Sequence, residues 1–64
     1  MANEDLRSLL EDMLEVEERM AGVYSEIIKG SASRSLVQAL EPIEADELKH
    51  AQNVKRMLDI LDTP

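Results

Sequence analysis

Three side chains are of types that bind cations, and their spacing can bring them together: Glu17, Glu47 and His50. The last two open and close Glu47-Leu-Lys-His50, and residues three apart on a helix are neighbours on one face. Two carboxylates and an imidazole meeting at one point make a ligand set for a divalent cation. Hard oxygen donors with one nitrogen suit iron or manganese better than a soft metal. The chain has no cysteine, which excludes disulfides, thiolate zinc sites and cysteine nucleophiles.

Two helices have to position these groups. The first spans about 4–29 and is a proline-free mix of Leu, Glu, Met, Ala and Arg, all good helix formers. Asn3 is the expected N-cap, with Glu4 and Asp5 where the helix dipole favours acids. Lys29 then Gly30 reads as a basic last turn followed by a C′ glycine. The turn covers 30–33, with Ser31 or Ser33 able to cap the second helix, about 34–62. Pro42 falls inside that helix, where it removes a hydrogen bond and crowds the carbonyl of Gln38. Either the helix kinks there or Pro42 opens a separate one. The apolar pattern crosses Pro42 in phase, which favours one kinked helix.

The expected fold is all-α: an antiparallel two-helix hairpin, a single domain over residues 1–64. A seam of alternating four- and three-residue steps reads Leu6, Leu10, Met13, Glu17, Met20, Tyr24 and Ile27. In the second helix it reads Leu36, Leu40, Ile43, Glu47, His50, Val54, Met57 and Leu61. Only Glu17, Glu47 and His50 are misfits. Folding the chain about Ser31 and Ala32 sets Glu17 level with Glu47, with His50 one turn away. Buried carboxylates at one level repel and are costly to desolvate. No Lys or Arg lies on the seam, so a divalent cation is the natural counter-charge. One hairpin has too few helices to close a core, whereas two make a four-helix bundle. Doubling the trio gives four carboxylates and two imidazoles, which match two divalent cations.

Seven basic and fourteen acidic residues leave a net charge of −7. That sign disfavours nucleic acid, and Tyr24, the single aromatic residue, offers no base-stacking surface. No apolar run approaches the roughly 20 residues of a membrane span, and the acidic start lacks the pattern of a signal peptide. A cytoplasmic location is expected.

Glu17 followed by Tyr24, then the "ELKH" ending at His50, resembles the ferritin-like superfamily of ferritins and rubrerythrins. A two-helix chain that completes its site by dimerising is most similar to the half-size encapsulated ferritins, over roughly residues 6–61. The resemblance implies that Glu17, Glu47 and His50 are iron ligands, two irons per dimer, with manganese or zinc as substitutes. It implies that Tyr24 supports the ligands from behind and that the activity is ferroxidase, Fe(II) oxidised to Fe(III) by dioxygen or peroxide. It further implies ring-like assemblies of dimers inside an encapsulin shell. Val23 stands where the family often has an aromatic residue, and "LDILDTP" shows no shell-targeting tail. Glu44, one turn before Glu47, is a candidate extra carboxylate.

Plainer readings stand beside these. A seam rotated onto Leu9, Val16 and Val23 would leave Glu17 solvated. Met13, Met20 and Met57 read as packing, and Arg7–Glu11 and Glu15–Arg19 as surface pairs. Rival functions are a rubrerythrin-like peroxidase or oxidase, a mononuclear site within one hairpin, and a metal-free helical assembly module.

Overall fold

In the computed structural model, which describes residues 2–63, the chain is an antiparallel helical hairpin. Helix α1 runs Asn3–Gly30 and α2 runs Arg34–Asp62. The hairpin measures 48 × 14 × 14 Å, with a radius of gyration of 14.9 Å. A compact chain of this length has a radius near 11 Å. The shape is therefore one layer of two helices.

Three local expectations need correction. Asn3 is the first helical residue and does not cap: Ala2 holds the extended conformation, and its carbonyl accepts from the amides of Asp5 and Leu6. Gly30 is the last helical residue and does not follow the helix; the extended Ser31 ends it, and no described residue has a positive φ. The turn is accordingly Ser31, Ala32 and Ser33. Ser33 is the cap of α2, its Oγ accepting from the amide of Leu36 at 3.2 Å. Helix α2 passes through Pro42 without a break. Pro42 and Gln38 are both exposed, so water can satisfy the carbonyl that the proline leaves without its amide partner.

The contact between the helices keeps about half of the expected seam and replaces the rest with neighbouring positions. The inward positions are Leu10, Leu14, Glu17, Ala21, Tyr24 and Ile28 on α1. On α2 they are Val37, Leu40, Glu44, Glu47, Ala51, Val54, Leu58 and Leu61. Only Ala21, Ala51 and Val54 are buried, and no side chain is fully enclosed. The two alanines are small enough for the helices to approach closely. Two cross-helix ion pairs flank this contact, Lys55–Glu18 at 3.5 Å and Arg7–Asp62. The expected surface pairs are present too, Arg19–Glu15 at 3.1 Å and Arg7–Glu11 at 3.9 Å.

Half of the expected seam therefore faces outward. Leu6, Met13, Met20 and Ile27 on α1, with Leu36, Ile43 and Met57 on α2, are exposed. The first set recurs every seven residues, two turns of one helix face, and the second does so once the exposed His50 is counted between Ile43 and Met57. Met13 and Met57 line one groove with His50, so both columns flank the same side of the hairpin. Leu9, Val16 and Val23 lie beside the first column by three- and four-residue steps, and Ile60 lies beside the second. Eleven of the twelve large exposed apolar side chains thus occupy one face; Leu48, on the opposite side, is the twelfth.

Candidate metal centre

Glu17 and Glu47 each stand one turn before a buried alanine, Ala21 and Ala51. Close approach of the helices there brings the two half-buried carboxylates together from opposite sides. His50 reaches back toward Glu17, with Nδ1 3.5 Å from Glu17 Oε2. One ligand atom from each of Glu17, Glu47 and His50 lies within 4.8 Å of the others. The trio expected from the sequence is therefore assembled within a single chain.

Its environment differs from the dry interior that was expected. His50 is 57% exposed at its side chain, against 22% for Glu17. The imidazole sits on the apolar face, beside an open groove of about 270 Å³ lined by Met13, Glu17, Asn53, Val54 and Met57. Glu17 and Glu47 form the floor between the helices, and the open side of the trio looks out through that face.

The electrostatics match two crowded carboxylates. The Glu47 carboxyl is held above its ordinary value of 4.5, chiefly because the Glu17 carboxyl beside it favours the protonated form. Partial burial adds to this, as do the negative charges of Glu17 and Asp46, while His50 opposes it. Glu17 Oε2 is buried and has no hydrogen-bond partner; His50 Nδ1 is near but not in hydrogen-bonding geometry. A buried acceptor left unpaired is costly. A cation held by the trio would satisfy that oxygen and offset the repulsion between the two carboxylates. The donor set, two carboxylates and one imidazole, fits a hard or borderline divalent metal.

No protein-family model, curated protein or solved structure matches this chain.

Two other expected residues take different places. Tyr24 is half-buried, two turns beyond Glu17 on the inner stripe, and among the described residues no hydrogen bond joins it to Glu17 or Glu47. Glu44 is not brought to the trio. It lines the groove on the opposite side with Glu18, Leu48 and Lys55, because one turn along α2 from Glu47 the inner stripe has rolled to the far edge of the contact. Sequence reasoning missed the pairing of Ala21 with Ala51 beneath the site. The available signal was small residues recurring one turn after each glutamate.

Proposed function

We propose that this hairpin is a ferroxidase subunit that binds Fe(II) at Glu17, Glu47 and His50, as the resemblance to encapsulated ferritins suggests. One observation carries the reading: three ligand atoms within 4.8 Å, one of them on the carboxylate whose buried Oε2 lacks a hydrogen-bond partner. Iron is the substrate, each Fe(II) giving one electron to dioxygen or peroxide. The chain's own groups hold the ion and balance its charge, and Glu47, whose affinity for a proton is raised by Glu17, exchanges that proton for the metal as pH falls and rises. Manganese or zinc would occupy the same donors without turnover.

One hairpin offers only half of a dinuclear site. Two copies joined through the apolar face would contribute four carboxylates and two imidazoles to two ions. The exposed apolar face supports this, since a hairpin burying only Ala21, Ala51 and Val54 has little core of its own. Two hairpins are too small to enclose a mineral, so iron storage belongs with a larger ring of dimers or an encapsulin shell around it. No helix among the described residues is long and apolar enough to cross a membrane, which fits a cytoplasmic compartment.

The test is anaerobic Fe(II) titration followed by air, recording stoichiometry and the absorbance of oxidised iron. The wild type should bind one iron per chain and oxidise it rapidly, and Glu47→Ala should lose fast oxidation. Equal rates in both proteins would remove this site from the account. A chain that binds no iron yet self-associates would be a helical assembly module.

A further inference from the structure

Three methionines expected to pack between the helices lie outside the contact. Met13, Met20 and Met57 are exposed, whereas Ala21, Ala51 and Val54 close the hairpin. Leucine would serve an apolar face equally well. A thioether adds a polarisable sulfur that binds soft ions. Two of the three, Met13 and Met57, line the groove of about 270 Å³ that His50 borders, with the buried Val54 in its lining.

The antiparallel hairpin explains why these side chains share a groove. Glu17 and Glu47 are brought together across the contact. Met13 lies one turn before Glu17, and His50 nearly one turn after Glu47. Antiparallel helices therefore set Met13 and His50 at nearly one height. Met57 lies two turns further along α2. Side chains lean toward the N-terminus of their own helix, so Met13 leans toward Met57 and Met57 leans back toward Met13. The two thioethers converge near Val54. His50 Nδ1 stands 3.5 Å from Glu17 Oε2, which leaves Nε2 as the nitrogen for a different ion.

We propose that Met13, Met57 and His50 form a second, soft metal site that binds Cu(I). Thioether donors select Cu(I), whereas the two carboxylates take hard divalent ions. All three donors are neutral, and a single positive charge beside apolar Val54 is less costly to desolvate than a double one. The imidazole thus marks the boundary between two donor sets, with carboxylates on one side and sulfurs on the other. Met20, two turns from Met13, is outside the groove and provides an internal control. The soft site does not depend on which ion the carboxylates hold.

The test is anaerobic titration of Cu(I) against a chromogenic Cu(I) chelator, with X-ray absorption at the copper edge to identify the bonded atoms. The wild type should take one Cu(I) per chain from the chelator, with sulfur bonded to the copper. Met13→Leu combined with Met57→Leu should lose the copper and its sulfur signal, yet keep the Fe(II) stoichiometry. Leucine is close to methionine in volume and both positions are exposed, so the helical fold should survive, checked by circular dichroism. Met20→Leu should bind copper as the wild type does. Glu47→Gln should weaken Fe(II) binding and keep Cu(I), whereas His50→Ala should weaken both. Copper bound through sulfur in a chain that binds no iron upholds the soft site and removes only the ferroxidase reading. Copper retained by the double leucine variant or undiminished in His50→Ala overturns the soft site and spares the carboxylate trio. Copper bonded without sulfur, lost equally in Met20→Leu, or left with the chelator by the wild type does the same.

Discussion

A metal bound at Glu17, Glu47 and His50 would compete with a proton on Glu47, and the pH dependence of binding would read that competition directly. In the metal-free hairpin the Glu47 carboxyl is held above its ordinary value of 4.5 by the Glu17 carboxyl beside it. Ligand atoms now spread over up to 4.8 Å would close to about 3 Å around an ion bonded at roughly 2.1 Å. That contraction leaves no room for a proton between the carboxylates. Between pH 4.5 and the folded value of Glu47, log affinity should therefore climb by up to about one per pH unit for this proton. Glu47→Gln removes the titrating group, so its log affinity should rise less steeply by that amount over the same interval, and binding should be weaker throughout. The assay is anaerobic equilibrium binding of Fe(II) at stepped pH, with ionic strength held constant. The same proton contributes to the pH dependence of the metal-free chain's stability. Folding raises this pKa, so the stabilisation it brings is complete below 4.5 and is lost as pH rises through the folded value. Urea midpoints of the wild type should fall over that window, and those of Glu47→Gln should fall less. Parallel pH slopes in the two proteins, for binding and unfolding alike, would refute the shared proton and with it the contact between the carboxylates.

Two further outcomes follow from the packing. Met13 is 48% exposed, and covering the rest at an interface contributes about 1 kcal/mol per copy; Met13→Asp should thus weaken the dimer at least about thirtyfold by sedimentation while leaving the hairpin helical. Pro42 removes a backbone hydrogen bond from the continuous α2 at an exposed position, so Pro42→Ala should raise stability by up to about 3 kcal/mol in chemical denaturation, with iron oxidation unchanged.

The amino-acid sequence determined the two helices, because propensity, the serine-rich turn and the seven-residue recurrence of apolar side chains are local properties of the chain. It also determined that Glu17, Glu47 and His50 share a level, since a short turn fixes the register of an antiparallel hairpin. Charge signs sufficed to place the Arg7–Glu11 and Glu15–Arg19 pairs, whose members lie one turn apart. Sequence could not settle which flank of the apolar arc closes the hairpin. Each helix carries two adjacent apolar stripes, and the seam as first read took one column from each. Packing decided between them: Ala21 and Ala51 permit the closest approach of the helices, so the stripe containing them turned inward. Leu6, Met13, Met20 and Ile27 were left outside. That choice placed Glu17 and Glu47 on the floor of the contact, His50 at its rim, and Glu44 on the far side. The helix ends also lay beyond sequence reach, because Ala2 and Ser31 act through their backbone conformation and not through a side-chain signal. Periodicity names the faces of a helix, but only the fit of side chains across the gap selects the face that is covered.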